Sequence, residues 1–489
     1  MPVQKKTILI SFFSSQPVAG IPGIGWIVLI LAILERIAFW ALYQPVLYSD
    51  STSYRRLAEA VQAGFKGYDG TRTPGYPVFL ALVGPDRCVW LVQMIFGVLI
   101  TLLIFFIAWQ ISGQVADSMP ASRRAVFFVL TGLAHTLNLG QLFFEANLLT
   151  ENLTTFWIMC SLAAWGYGMV RPGRTRLWLA VLVGFASGLA AITRPLFIFL
   201  PAWLALFVFL FWQDQPVSIP PQPVKSRAVA VFRLLAKSLK STWKYLLLIA
   251  IPSALVVGSY VGYLHARFGG WSLSVMTGYH MIQNTGTFFE FVPDQYAALR
   301  DTYLKYRELH IAQNCTQTNT IWDAIPEMQK VSGLEFTTLS TTLARISVQL
   351  ILEHPVLFLR NVAEGWWLFW RAPVYWSAEA LRFPVLVPLV KGAVLVERAL
   401  LLGGNMLFLA ASLLAVFWPP VRRLWQLSPT LWGLIGLVWV TSIVQSFLDH
   451  GDNPRFLVPI QSLVVLNLLW MGFHSLPVRQ KVGQVQAGS

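Results

Sequence analysis

A few ionisable side chains stand where charge is costly, beside or inside long apolar runs. Asp50 follows the first such run, in the stretch YSDSTSYRR. A carboxylate there can cap a helix or stand at the mouth of a membrane cavity. Arg72 opens the segment Arg72-Thr-Pro-Gly-Tyr-Pro77, whose two prolines and one glycine enforce a tight return at headgroup level. An arginine so placed can snorkel to any lipid phosphate or grip one phosphate through a forked contact. The stretch FFEANLLTENLTTFW puts Glu145 before the fourth run, as a solvated loop residue, and Glu151 about one turn inside it. A carboxylate inside a span is expensive and marks function by default. Arg194-Pro195 turns the chain between two runs, and DHGDNPRFLVP places Asp449, His450, Asp452 and Arg455 before the last one.

The elements that must position these residues are membrane helices. Only 12% of the 489 residues are charged and 56% are hydrophobic, with a mean hydropathy of +0.60. A soluble domain carries roughly 25% charged residues. A span needs about 20 apolar residues. The runs Gly23–Tyr43, Cys88–Ile111, Arg124–Leu139, Leu148–Val170, Leu177–Thr193, Leu196–Trp212, Tyr245–Leu264, Ala399–Trp418, Leu431–Leu448 and Phe456–Phe473 give ten spans. The stretch from Leu343 to Arg398 is ambiguous. Its apolar pieces, Val356–Trp370 and Phe383–Val396, are broken by Arg360, Glu364, Lys391 and Glu397 among several tryptophans, which favours helices lying along the interface. Two further spans there would make twelve.

The net charge of +14 is carried by short loops. Lys5, Lys6, Arg123, Arg124, Arg171, Arg174, Arg176, the basic stretch after the prolines of the 213–244 loop, Arg422, Arg423, Arg479 and Lys481 share one side, opposed there only by Asp117 and Asp214. That is the positive-inside pattern. It makes both termini cytoplasmic and puts Asp50, Arg72, Glu145, Glu151, Arg194, His450 and Arg455 together on the outer face. A basic balance spread over loops, with no basic stripe, excludes nucleic acid as partner. Cys88, Cys160 and Cys315 form neither a disulfide framework nor a zinc site. The chain divides into residues 1–264, a membrane module with the external loop 44–87; residues 265–398, external loop and interfacial helices; and residues 399–489, the last spans and a short tail.

This set resembles the GT-C superfamily of lipid-dependent membrane glycosyltransferases, in the branch of protein O-mannosyltransferases and aminoarabinose lipid A transferases. The matching residues are Asp50 with Tyr54, Arg72 to Pro77, Thr150-Glu151, Arg194-Pro195, and Pro454-Arg455 with Pro459. Two departures are plain. Ser51 stands where many relatives have the second acid of an Asp-Glu pair, and Arg72-Thr-Pro stands where many have Lys-Pro-Pro. The resemblance implies an all-α polytopic GT-C-like bundle of ten to twelve spans in the plasma membrane, the inner membrane of a bacterium, with its active site outside. It implies an inverting transfer of a sugar from a polyprenyl phosphate to a lipid, glycan or protein acceptor. Asp50 would be the base. Glu151 would orient the acceptor or share a divalent metal, Mg2+ or Mn2+, with Asp50. Arg72, Arg194, Arg455 and His450 would hold the donor phosphate, and Tyr54, Tyr76 and Glu145 would line the cavity. Tyr279, His280, Trp366 and Trp367 are candidates for covering it. Three other readings stand beside this one, and the first, a noncatalytic scaffold or assembly subunit, has no use for acids buried near the headgroups. A ligase using a polyprenyl diphosphate would share the arginines but needs no paired acids. A secondary transporter would use the intramembrane pair Glu35-Arg36.

Overall fold

A computed structural model describes residues 23–114, 120–171, 173–212, 224–372, 374–448 and 454–476. His450, with Asp449 and Asp452, lies outside the described residues, as do Lys5, Lys6, Asp117, Asp214, Arg479 and Lys481.

The described chain is helical. In order, its α-helices are α1 (Gly23–Leu42), α2 (Ser49–Gln62), α3 (Gly75–Val83), α4 (Asp86–Gly113), α5 (Ala121–Thr136), α6 (Leu139–Ala146), α7 (Glu151–Val170), α8 (Thr175–Thr193), α9 (Leu200–Phe211), α10 (Val224–Phe268), α11 (Thr277–Thr285), α12 (Ala297–Ala312), α13 (Thr320–Ser332), α14 (Phe336–Glu353), α15 (Pro355–Phe369), α16 (Val387–Phe417), α17 (Pro419–Leu424), α18 (Pro429–Leu448) and α19 (Gln461–Ser475). Among the described residues the only β pairing is an isolated parallel bridge between Val46 and Asn147. Among the described residues eight helices are long and apolar enough to cross a membrane, or up to ten if each of two bent pairs is one span. The protein is an all-α, multi-pass membrane protein.

Eight of the ten expected runs coincide with those eight helices. The other two differ. The run Arg124–Leu139 is a bent pair: Ser122–Thr136 and Leu139–Ala146 meet at 44°. The break is stable because its freed donors are satisfied. Asn138 Oδ1 accepts from Gln141 N at 2.8 Å, and the Glu397 carboxylate accepts from Leu139 N and Gly140 N at 2.8 and 3.0 Å. The run Leu196–Trp212 is a shorter apolar helix, Pro195–Phe211, opening with a 3-10 turn.

The ambiguous stretch resolves in two ways. Phe383–Val396 is not a separate interfacial helix; from Val387 it is continuous with the next span, as α16. The one proline of α16, Pro388, lies in the first turn, where it costs no hydrogen bond, and Glu397 finds its partners at the start of α6. Helices α14 and α15 meet at 106°. Phe369 and Trp370, at the end of α15, sink into the main core beside Phe408.

Among the described residues the two largest of five apolar clusters form the main cores. The first runs through the spans, with Trp165, Phe197, Trp370 and Trp470 fully buried. Helix α8 lies close against α10, because a Cβ on Gly184 would meet the Ile249 carbonyl oxygen at 2.3 Å and one on Gly188 would meet Ser253 Cα at 3.0 Å. This is the small-xxx-small spacing that lets membrane helices approach. The second core is formed by α11 to α15 around Tyr279, Tyr303, Ile321 and Leu343. Asn284 ties it to the end of α18, donating to the Ser446 carbonyl at 3.4 Å.

Candidate active site

Asp50 sits in the first turn of α2. The capping work there is done by its neighbour: Ser51 Oγ accepts from Tyr48 N and donates to the Leu148 carbonyl, both at 2.9 Å. Asp50 therefore does not cap the helix. Its Oδ1 accepts from Arg72 Nη2 at 2.6 Å, and its Oδ2 accepts from Arg455 Nη2.

Arg72 is held by its backbone. Its carbonyl accepts from the hydroxyls of Tyr68 and Tyr260, each at 2.9 Å. The turn that follows lies on the end of α8, which requires glycine: a Cβ on Gly75 would fall 2.6 Å from Thr193 Oγ1 and 2.7 Å from the Ile192 carbonyl. Tyr54 lies with its ring 5.7 Å from the Arg72 guanidinium and meets Tyr76 edge to face at 5.1 Å. Tyr76 donates to Gln93 Oε1 at 3.2 Å. The two tyrosines thus form the wall behind Arg72.

Glu151 is the first residue of α7, and its side chain is 1% exposed. Its Oε1 accepts from Arg194 Nη1 at 2.9 Å. Arg455 Nε lies 3.4 Å from the same oxygen, an ion-pair distance without hydrogen-bond alignment, and has no acceptor of its own. Arg194 follows directly on α8 and rests over the Phe456 ring at 4.1 Å.

The result is a chain of alternating charge: Arg72, Asp50, Arg455, Glu151, Arg194. Three guanidiniums and two carboxylates leave one positive charge. Side-chain exposure falls from 26% at Arg72 and 18% at Asp50 to 7% at Arg194 and 1% at Glu151. The Asp50 end is the more exposed one. Burial raises the Asp50 carboxyl pKa, but Arg72 and Arg455 outweigh it and hold it below the usual carboxylate value. Burial pushes the Tyr54 hydroxyl up, so it stays protonated.

The sequence-derived set therefore divides. Asp50, Arg72, Glu151, Arg194 and Arg455 come together, with Tyr54 and Tyr76 behind them. Glu145 does not join them and is not a solvated loop residue. It is 1% exposed and grips Arg36 of α1 by two bonds, Nε to Oε2 at 3.0 Å and Nη2 to Oε1 at 2.5 Å. Tyr279 is buried in the second core and donates to the Phe336 carbonyl at 2.7 Å, with His280 beside Trp322. Trp366 donates to Ser442 Oγ at 3.0 Å and stacks on Trp439. Trp367 is exposed on α15. Sequence reasoning offered Ser51 as a cap of α2, which it is, and missed Gln93 and Phe456, whose types carry no signal apart from their contacts.

The metal expectation does not fit this donor set. Both Asp50 oxygens and Glu151 Oε1 face guanidiniums, and among the described residues no three His, Cys, Asp or Glu side chains gather as ligands. Three arginines at contact distance repel a divalent cation.

The sequence matches no protein-family model, and neither a curated protein nor a solved structure matches it.

Proposed function

We propose that the chain is an inverting glycosyltransferase with a GT-C-like bundle. It moves a sugar from a polyprenyl phosphate to a hydroxyl of a lipid, glycan or protein acceptor at the outer face of the plasma membrane. The observation that carries this reading is the five-charge chain with one positive charge in excess. A sugar phosphodiester brings one negative charge and leaves the site neutral. A diphosphate brings at least one more, with no further cation in the chain of charges among the described residues to meet it, which speaks against the ligase reading. Against the transporter reading, the Arg36 that would serve an ion path is already paired with Glu145.

The chemistry follows from the same residues. The acceptor oxygen attacks the anomeric carbon from the face opposite the phosphate. The bond from that carbon to the phosphate oxygen breaks, and the polyprenyl phosphate leaves with the electron pair. Arg455 and Arg72 meet the charge that develops on it. Asp50 takes the hydroxyl proton and passes it to water once the product has left. Glu151 keeps Arg194 and Arg455 in place and is a positioning residue. Before donor binds, both Asp50 oxygens are occupied. A phosphate that draws Arg72 and Arg455 to itself frees Asp50 and raises its basicity, so the base is released only when there is a sugar to transfer.

Two results are expected. Chelating divalent metals with EDTA should leave the rate of transfer unchanged; a loss restored by Mg2+ or Mn2+ would contradict the charge assignment. The pH profile of kcat/KM reports the free protein, in which Asp50 has a lowered pKa. The rate should stay level through neutral pH and fall only as pH drops through that lowered value. An acid limb above the usual carboxylate range would oppose it. The function itself is tested by the product's anomeric carbon, followed by NMR with a labelled lipid-linked sugar. Inversion supports a single displacement, and retention overturns it.

A further inference from the structure

The intramembrane pair Glu35-Arg36 has no part in the site described above. Arg36 is 3% exposed and Glu145, its forked partner, 1%. Arg36 Nη1 also donates to the Ala32 carbonyl at 3.1 Å. The pair lies flush on the backbone of α4, since a Cβ on Gly97 would fall 1.9 Å from Glu145 Oε1 and 2.7 Å from Arg36 Nη2.

The backbone that follows Glu145 is a junction. Gln93 Nε2 donates to the carbonyls of Glu145 and Asn147, at 2.9 and 3.1 Å. Val46 N donates to the Ala146 carbonyl at 3.0 Å, and Leu148 N to the Val46 carbonyl at 3.1 Å. Ser51 Oγ donates to the Leu148 carbonyl at 2.9 Å, and Asn147 Nδ2 to that of Tyr375 at 3.0 Å. One side of this junction leads into Asp50 through Val46 and Ser51. The other side leads into Glu151.

We infer that Arg36 and Glu145 are a positioning pair for the reaction. They hold residues 145–148 in the register that sets Asp50 against Glu151, and neither touches substrate. The inference rests on the site proposed above. It accounts for a fully buried ion pair within the membrane, where an arginine and a glutamate are costly unless they fix something.

The test uses the full-length protein with Arg36→Gln and Glu145→Gln together, which removes both charges of the fork and leaves only Glu35, 19% exposed and 3.5 Å from Arg36 Nη1, without its cation. Amide hydrogen exchange is read over residues 44–62 and 145–152, alongside thermal unfolding, kcat and KM. Exchange should rise about tenfold in those two segments and not elsewhere. With the melting temperature kept, kcat should fall about 10²-fold at unchanged KM, as expected when reacting groups are misplaced by about 1 Å. Arg36→Lys with Glu145 intact keeps the charge and should recover part of kcat. Wild-type exchange in both segments would overturn the inference. So would exchange that rises throughout the chain together with a lower melting temperature. If the wild type transfers no sugar, the functional reading fails, while the exchange pattern still decides this one.

Discussion

Arg455→Met is expected to lower both stability and turnover. Among the described residues Arg455 is the one cation paired with both carboxylates. Without it, Asp50 keeps Arg72 alone and the buried Glu151 keeps Arg194 alone. Breaking a buried ion pair from one side costs about 3–5 kcal/mol. The value here should lie at the lower end, because each carboxylate retains one partner and Asp50 is 18% exposed. The same change removes the guanidinium assigned to the leaving phosphate, whose Nε is buried without an acceptor. Losing one preorganised donor to a developing charge lowers kcat by about 10²–10³-fold. Thermal unfolding in detergent and sugar transfer measure the two effects separately. Arg455→Lys should restore most of the stability but little of the turnover, since an ammonium cannot bridge two carboxylates and a phosphate as a planar fork does. Wild-type stability and turnover in Arg455→Met would remove Arg455 from the site.

Asp50→Asn is expected to separate chemistry from binding. The substitution keeps the shape of the side chain and removes its charge. A lost general base lowers kcat by about 10²–10⁴-fold. Donor binding should hold or tighten, because the phosphate no longer competes with the Asp50 carboxylate for Arg72 and Arg455. Isothermal titration with a polyprenyl monophosphate measures affinity without turnover. A weaker Kd with unchanged kcat would mean that Asp50 only orders the arginines and is not the base.

Much of this site could be read in the sequence, for a physical reason. Charges are rare in apolar runs, so Asp50, Arg72, Glu151, Arg194 and Arg455 stand out by location alone. The span order then places all five at one end of the bundle, where the structure brings them into contact. Contact partners were less legible. Glu145 reads as a loop residue because its cation lies 109 residues away, in a different span. Two acids on one face suggest a metal, and only the geometry reveals that guanidiniums stand between them. The break at Leu137–Asn138 carries neither proline nor glycine. It depends on an acceptor supplied by Glu397, 258 residues further along. Phe383–Val396 reads as interfacial because Lys391 and Glu397 interrupt it, yet a helix tolerates such residues when each finds water or a partner, and α16 runs through both.

The most direct measurement is donor consumption by the purified wild type, given radiolabelled polyprenyl-monophosphate and polyprenyl-diphosphate sugars side by side with a membrane-lipid extract. The expected result is that one monophosphate donor is consumed, releasing free polyprenyl phosphate, and that no diphosphate donor is. Consumption of a diphosphate donor alone, or of none by a protein that is folded and inserted, would contradict the assignment of the charge chain to a sugar phosphodiester.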